Sequence, residues 1–319
     1  MNLIILTTAI TRGDFHKKSI GKFYELYKDA LTKFTVHHII NLDCPAKLSS
    51  TFTKKQSIDL FNEIIPKNVN TIIIDNENPG FLNAHKNVVK RANELNIINE
   101  KTLIWWFEDD WDVSNFNKEL FDIIQLFPFS QPYAFNSVQS SPLGSFRGGP
   151  IMNALYFRKY FDIVSNNMAN NTCDPERQVT RWISGINRQN GNQMIHRNIE
   201  NDKNINILIF YHNTAKINVK EFPQTYYARQ DKYSKDLKFN YYAIKSQDLK
   251  TFQFGKVDIP NNKIDFEDTL IEDIHTLLQN DGINYICIKP WVFSDIGRMF
   301  NTEHNLQKWT TINDNTSYV

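Results

Sequence analysis

Short apolar runs alternate with amphipathic segments along the first third of the chain. The runs are rich in Ile, Leu and Val and end in polar turns, which is typical of strands buried on both faces of a parallel sheet. The predicted strands are 3–8, 36–42, 69–74 and 103–107. The segments between them place apolar residues at helical spacing and cover 18–34, 57–65 and 83–96. This β-α-β-α-β-α-β order predicts an α/β fold with a doubly wound, mostly parallel sheet.

The pattern is less regular after residue 113. Helical spacing recurs at 117–126, 152–164 and 267–278, and apolar runs typical of strands recur at 133–137, 206–211 and 285–288. The segment 140–150 contains three glycines and is predicted to be a loop, which a ligand could approach closely. A plain flexible loop explains the glycines equally well. No linker rich in Pro or Ser separates the last third of the chain. We therefore expect 215–319 to pack on the preceding part.

Charge and composition narrow the class of protein. The 319 residues carry a net charge of +1, so no long-range field favours nucleic acid or an anionic membrane as partner. The three cysteines are far apart and form no C-x-x-C pair, which fits a reducing compartment. The N-terminal apolar run is too short for a signal peptide, and no run reaches the roughly 18 apolar residues of a membrane span. The predicted location is the cytoplasm.

Four carboxylates follow the strand 103–107 within five residues: Glu108, Asp109, Asp110 and Asp112. Like charges this close repel one another, and burying them at a strand end costs several kcal/mol unless a cation arrives. A hard divalent cation fits, because Mg²⁺ takes one or two carboxylates and completes its shell with water and phosphate oxygens. The alternative is a solvated acidic turn, and the aromatic residues within and beside the cluster disfavour it.

The strand followed by Glu-Asp-Asp-Trp resembles the Asp-x-Asp metal motif of nucleotide-sugar glycosyltransferases with the GT-A fold. In that family the motif ends a central strand and holds Mg²⁺ or Mn²⁺ against the donor diphosphate. Glu108, Asp109 and Asp110 match its three positions, and the last acidic residue is usually the direct metal ligand. The chain departs from the pattern by its first Glu and by the additional Asp112. Both Asp110 and Asp112 therefore stand as metal candidates.

The resemblance implies a GT-A-like domain over 1–214, with 1–113 as the nucleotide and metal half and 114–214 as the acceptor half. Residues 215–319 then form an α+β extension. The abundance of Asn, Ile and Lys indicates an AT-rich genome, which suggests a viral or parasitic source and, for a virus, the cytoplasm of an infected cell.

Ligands of doubly wound sheets lie outside the carboxyl ends of the strands. Thr8, Arg12 and Asp43 fall there and are predicted to bind the donor nucleotide. The stretch 78–87 resembles the family's glycine turn followed by a helix with a basic residue and an Asn, which Lys86 and Asn87 match. A helix N-terminus and a cation favour a diphosphate. An ordinary surface helix after a glycine turn explains the stretch equally well.

Two later segments supply the remaining candidates. Asp174 precedes a proline, which is typical of a helix cap, and Glu176 lies in the first turn. In inverting GT-A enzymes an acidic residue at a helix start in this region acts as base; Glu176 matches that place and Asp174 is the reserve. His212 ends the strand 206–211, and some family members take a third metal ligand from such a His. A hydrogen-bonded structural role is the alternative for His212.

The function implied by the resemblance is a metal-dependent hexosyltransferase. It would move a sugar from a nucleotide-diphosphate sugar, uridine being favoured over guanosine, to a hydroxyl of a glycan or glycoprotein with inversion. The motifs of dinucleotide-binding, P-loop, serine-hydrolase and zincin proteins are absent from the sequence. Two alternatives stay open. One is a nucleotidyltransferase, although the segment 7–14 is poor in Gly, Lys and Arg for that class. The other is a non-catalytic module that binds carbohydrate or protein.

Overall fold

The structure is a computed structural model of the whole chain. It describes residues 1–44, 52–76, 80–113, 115–139, 150–166, 186–189, 193–196, 204–213, 238–258, 263–271 and 285–295, together with residues 261, 274, 278, 282 and 283. None of the helices within these ranges is long and apolar enough to cross a membrane.

The described elements follow the predicted alternation. The strands are β1 (Asn2–Ile10), β2 (Thr35–Asp43), β3 (Asn70–Asp75), β4 (Thr102–Trp106), β5 (Trp111–Val113), β6 (Ala134–Asn136), β7 (Val138–Gln139), β8 (Ile151–Asn153), β9 (Ile186–Gln189), β10 (Gln193–His196), β11 (Asn204–His212), β12 (Lys238–Ser246), β13 (Phe252–Asp258), β14 (Lys263–Ile271), β15 (Tyr285–Lys289) and β16 (Phe293–Asp295). The helices are α1 (Gly13–His16), α2 (Lys22–Leu31), α3 (Lys54–Ile64), α4 (Phe81–Glu94), α5 (Leu120–Gln125) and α6 (Ala154–Asn166). A π-helical turn, Lys17–Gly21, joins α1 to α2.

One large sheet organises the described part of the chain. Its order is β14-β13-β12-β11-β15-β6-β8-β4-β1-β2-β3. The strands β3, β2, β1 and β4 are parallel to one another, and so are β6, β15, β11 and β12. Because β8 is antiparallel to both β4 and β6, the two parallel groups run in the same direction. Their carboxyl ends therefore share one edge, and the predicted α/β architecture with a large, mostly parallel sheet flanked by helices is confirmed.

The strand order reverses at two places along that edge. In the first group the chain passes from β1 outward to β2 and β3, and then returns to place β4 on the other side of β1. In the second group it passes from β11 to β12, and later places β15 on the other side of β11. In open α/β sheets such reversals leave a crevice outside the strand ends, where ligands bind. A ligand is therefore expected at the β1/β4 reversal or at the β11/β15 reversal, and we call these two places the β1/β4 crevice and the β11/β15 crevice.

Adjacent tryptophans on β4 anchor the two helical layers. Trp105 and Trp106 point to opposite faces of the sheet, since successive side chains of a strand alternate. The ring of Trp105 contacts Phe23 on α2, with centroids 5.1 Å apart. The ring of Trp106 lies 4.0 Å from that of His85 on α4. Both tryptophans are buried, so β4 is a central strand covered on each face.

The last third of the chain continues this sheet through β12 to β15. It also returns to the acidic segment, because β16 lies between β5 and β7 in a small three-stranded sheet. Ser294 on β16 pairs with Asp112 on β5. Phe293 packs against the rings of Trp105, Phe107 and Trp111.

The helix predicted over 267–278 is wrong in its first part. Residues as far as Ile271 belong to β14, which pairs antiparallel with β13. Near the start of β14, Ile264 and Phe266 are two residues apart and lie on one face, which is the period of a strand. Ile274 and Leu278, further along, are helical and buried.

Helix α3 begins with a reciprocal cap. The side chain of Thr53 accepts a hydrogen bond from the backbone N–H of Gln56, and the Gln56 side chain accepts one from the N–H of Thr53. Replacing Thr53 with Ala is expected to lower the free energy of unfolding by about 1 kcal/mol, the usual loss for a removed cap. Urea unfolding measures it, with the exposed Lys55→Ala on the same helix as control. An equal loss in both variants would assign the effect to helix propensity rather than to the cap.

Candidate functional site

The acidic turn lies at the β1/β4 crevice, directly after β4. Asp109 is only 2 % exposed, and both of its carboxylate oxygens are engaged. Oδ2 accepts hydrogen bonds from Arg12 Nε at 3.1 Å and from the backbone N–H of Ile10 at 3.3 Å. It also lies 3.1 Å from Nε2 of His16. Oδ1 contacts Arg12 Nη2. The buried carboxylate is therefore held by three groups, one at the end of β1 and two shortly after it.

Arg12 is the cation that the acidic turn requires. Its guanidinium binds Asp109 through two nitrogens, the bidentate geometry that suits a carboxylate, and its Nη2 lies 2.9 Å from Oδ2 of Asp110. Burial alone would lower the pKa of Arg12, but the charges of Asp109 and Asp110 outweigh it and raise that pKa. Burial would likewise raise the pKa of Asp109, and the charge of Arg12 instead holds it well below its usual range.

The first helical segment carries the other contacts to the acidic turn. His16, Ser19 and Lys22 follow one another at intervals of three residues across the π-helical turn. Ser19 Oγ donates to the carbonyl of Glu108 at 3.1 Å, and Lys22 Nζ donates to Oδ1 of Asp112 at 2.8 Å. With the contact of His16 to Asp109, this segment binds three of the four acidic positions.

Sequence reasoning missed these three helix residues. Part of the signal was present, because Ser19 and Lys22 are polar residues three apart within the segment 18–34 that is predicted to be helical, and His16 lies just before that segment. The π-helical turn changes which residues share one face of the segment. The spacing of a regular helix therefore does not show that these three side chains contact the same turn. His16 is fully buried, and its ring stacks on that of Phe61 with centroids 4.5 Å apart. Nothing in its sequence position distinguishes it from a histidine that only packs in the core.

The four acidic residues fit a divalent cation unequally. Asp109 does not fit, because Arg12, His16 and the Ile10 N–H occupy its oxygens. Asp112 binds Lys22, and the indole N–H of Trp106 lies 3.4 Å from Oε1 of Glu108. Within the described ranges, no group of three or more His, Cys, Asp or Glu side chains is arranged to hold a metal. Mg²⁺ needs only one or two protein carboxylates, and Asp110, which is 13 % exposed and whose Oδ2 lies 2.9 Å from Nη2 of Arg12, is the candidate that the motif favours.

Asp43, a predicted nucleotide ligand, organises the neighbouring strand ends. Its Oδ1 accepts hydrogen bonds from the side chains of Asn41 and Asn76, both at 2.9 Å, and its Oδ2 accepts one from the N–H of Gly80 at 2.9 Å. Burial raises the pKa of Asp43 despite these hydrogen bonds. The anion at the N-terminus of α4 is thus the chain's own carboxylate.

The other donor candidates surround this network. Asn87 on α4 donates to the side chain of Asn41 at 3.0 Å, so it joins the helix to β2. Thr8 is half-buried on β1, opposite Asn41 in the sheet register. Lys86 is half-buried on the second turn of α4. The structure therefore brings Thr8, Asn87 and Asp43 together, and places Arg12 with the acidic turn on the other side of β1.

His212 lies away from the acidic turn. It ends β11, which is separated from β4 by β15, β6 and β8. Its Nε2 lies 2.6 Å from Oε2 of Glu119, the residue before α5. The structure does not bring His212 and Asp110 into one ligand set. The predicted base residues Asp174 and Glu176 and the glycine segment 140–149 lie outside the described residues.

The chemistry available at the β1/β4 crevice is electrostatic. A fixed guanidinium and two carboxylates meet where two central parallel strands end, and a helix braces them from one side.

Neither the comparison with protein-family models nor the comparison with curated proteins finds a match to this chain.

Proposed function

We propose that the chain is a metal-dependent glycosyltransferase with a GT-A-type domain that binds a nucleotide-diphosphate sugar at the β1/β4 crevice. The observation that carries the proposal is the ion cluster of the buried Asp109 with the partly exposed Arg12 and Asp110 at the reversal point of the sheet. Ligands of doubly wound sheets bind at such reversals, and at this one a positively charged guanidinium lies beside negatively charged carboxylates.

The cluster suits a ligand that acquires negative charge during the reaction. Breaking the bond from the anomeric carbon to the diphosphate leaves negative charge on the departing oxygen, which nearby cations stabilise. Arg12 is a fixed cation whose position is set by Asp109. Asp110 would hold the Mg²⁺ or Mn²⁺, which supplies Lewis-acid neutralisation of the diphosphate when bound. Lys86 on α4 is the further cation that we assign to the phosphates.

The helical segment that ends in α2 would keep the acidic turn in place during this chemistry. His16, Ser19 and Lys22 bind the turn from one side, so Asp110 is presented from a braced backbone rather than from a mobile loop. Catalytic groups need this kind of support, since small displacements of a charged group cost rate.

The transfer itself needs an acceptor hydroxyl and a base. The hydroxyl oxygen would form a bond to the anomeric carbon as the bond to the diphosphate breaks, and its proton would pass to a carboxylate. We keep Glu176 as that base and Asp174 as its reserve, with inversion at the anomeric carbon. The acceptor class is the hydroxyl of a glycan or glycoprotein.

Product analysis tests the proposal. The protein is incubated with UDP- and GDP-sugars and MnCl₂, and the products are separated by anion-exchange chromatography. Release of nucleoside diphosphate together with free or transferred sugar supports a glycosyltransferase. Pyrophosphate would identify a nucleotidyltransferase instead. Unchanged donors throughout the panel would leave a binding module and reject the enzymatic proposal.

Two neighbouring carboxylates give a direct test of metal binding. We expect Asp110→Asn to weaken Mn²⁺ binding in the presence of UDP by about tenfold, or about 1.4 kcal/mol, because Asp110 is the proposed metal ligand. Asp112→Asn should change it by less than about twofold, because Asp112 binds Lys22 instead. Electron paramagnetic resonance of free Mn²⁺ measures both. Equal losses, or no Mn²⁺ binding by the unaltered protein, would remove the metal from the proposal.

A further inference from the structure

The acidic turn connects two buried aromatic residues. Phe107 directly follows β4 and donates its backbone N–H to the carbonyl of Leu6 at 2.9 Å. Trp111 begins β5. Both side chains are 1 % exposed, and their rings contact each other with centroids 5.4 Å apart. Residues 108–110 therefore span the distance between two fixed points, and Asp110 directly precedes the second of them.

Phe293 on β16 contacts both of these aromatic residues. The centroid of its ring lies 5.7 Å from that of Phe107 and 6.2 Å from that of Trp111. The ring also contacts Trp105 on β4 at 5.3 Å, and the side chain is fully buried. Aromatic pairs at such distances contribute beyond the area that they bury. One side chain from the last third of the chain thus supports both ends of the turn.

Backbone hydrogen bonds hold β16 in this place. β5 pairs antiparallel with one of its edges, and β7 pairs parallel with the other. The carbonyl of Ser137 accepts hydrogen bonds from the N–H groups of Val292 at 2.8 Å and Phe293 at 3.1 Å. Asn115 donates its backbone N–H to the carbonyl of Val292 at 3.1 Å and its side-chain amide to that of Trp291 at 2.9 Å. A shift of β5 would therefore break its bonds to β16.

The contacts from β16 concern a different part of the turn from those of the helical segment that ends in α2. That segment binds the carbonyl of Glu108 and the carboxylates of Asp109 and Asp112. Asp110 directly precedes Trp111, so the start of β5 sets the direction in which its backbone leaves the turn. Support of β5 by β16 therefore acts on Asp110 first.

We propose that β16 is a positioning strand of the β1/β4 crevice, and that Phe293 is a positioning residue that holds Asp110 through Phe107 and Trp111. The last third of the chain then supports a metal candidate that lies in the first third. The consequence for metal binding rests on the proposed function, whereas the support of the turn does not. Small displacements of a charged group are costly, so loosening β5 should weaken metal binding without removing a ligand.

Hydrogen exchange of the full chain, followed by mass spectrometry, tests the support of the turn. Phe293→Leu keeps an apolar side chain but removes the ring. We expect the amides of 108–113 to exchange at least about tenfold faster and those of β2 to change by less than about twofold. A general loss of stability would raise exchange in both segments, so the comparison separates positioning from folding.

A second variant acts on the same strand from the surface. Asn115→Ala removes the exposed hydrogen bond to the carbonyl of Trp291 without altering the core. It should raise exchange of 108–113 by about threefold, in keeping with the modest contribution of one hydrogen bond.

The matched control is Phe127→Leu. Phe127 is also buried, at 2 % exposed, but its ring contacts those of Tyr133 and Phe135 instead of the turn. It should leave exchange of 108–113 unchanged. Mn²⁺ binding in the presence of UDP should weaken about fivefold in Phe293→Leu and less than about twofold in Phe127→Leu. Thermal unfolding confirms that each variant is folded.

The outcomes separate the role of β16 from the donor chemistry. Unchanged exchange of 108–113 in Phe293→Leu overturns the positioning role, and so does an equal increase in Phe127→Leu. Equal Mn²⁺ binding by Phe293→Leu and the unaltered protein would overturn the link to Asp110. If the unaltered protein binds no Mn²⁺, the proposed function loses its metal, and the exchange of 108–113 alone decides the role of β16.

Discussion

Replacing Arg12 with Met is expected to destabilise the protein by about 3–5 kcal/mol, the usual cost of removing one partner of a buried ion pair. Asp109 is 2 % exposed, and Arg12 supplies two of the contacts to its carboxylate. Without the guanidinium, the buried carboxylate must keep its charge with only His16 and the N–H of Ile10 beside it, or take up a proton. Methionine keeps much of the side-chain volume, so the loss reports charge rather than a cavity. Urea unfolding at pH 7 measures it.

Lys33→Met is the matched control. Lys33 forms an ion pair with Asp122 in which both side chains are about half exposed, and such pairs contribute about 0–1 kcal/mol. The double variant Arg12→Met with Asp109→Asn should recover part of the loss, because the buried charge is then gone. Equal effects of Arg12→Met and Lys33→Met would contradict the central place of Arg12 in the cluster.

The alternation of apolar runs and amphipathic segments was enough to predict the first four strands of the large sheet. The periods of strands and helices are local, so β1 to β4 appear at their predicted places, and the acidic turn follows β4. The later hairpin of β13 and β14 was not predicted. Its strand shows only two clear alternations, at Ile264 and Phe266, before a segment whose apolar spacing fits a helix equally well.

The cation of the acidic turn could not be identified from sequence. Four adjacent carboxylates demand positive charge, but a divalent ion and an arginine satisfy that demand equally in a linear pattern. Arg12 is 97 positions from Asp109, and only the parallel pairing of β1 with β4 brings them together. The sequence predicts Arg12 at the strand ends as a nucleotide ligand. The structure shows in addition that Arg12 binds the carboxylates of Asp109 and Asp110.

The sequence also does not distinguish acidic residues that are close to one another, because their partners come from distant parts of the chain. Asp110 and Asp112 are equivalent candidates in the motif, yet Asp110 contacts Arg12 and Asp112 contacts Lys22. The difference arises because Asp112 belongs to β5, which pairs with β16 nearly two hundred residues later. His212 likewise ends a strand as expected, but the position of that strand within the sheet places it beside Glu119.

Acidification from pH 6.5 to 4.5 is expected to lower the free energy of unfolding by about 5 kcal/mol through two buried histidines. His38 lies between Thr7 Oγ1 at 2.9 Å and the Tyr24 hydroxyl at 3.0 Å, and burial lowers its pKa to about 3. His85 lies 2.5 Å from the Tyr160 hydroxyl, and burial with the charge of Lys86 lowers its pKa to about 3.

The direction follows from proton uptake by the unfolded chain. Between pH 6.5 and about 3 an unfolded histidine binds a proton that His38 and His85 exclude in the folded state, so stability falls as the pH falls. Each histidine contributes a slope of about 1.4 kcal/mol per pH unit. His38→Gln and His85→Gln should each reduce the slope by that amount, whatever their effect at pH 7. The exposed variant Lys55→Gln should leave it unchanged. Urea unfolding at half-unit pH intervals measures the slopes, and a slope unaltered in both histidine variants would show that other groups cause the acid sensitivity.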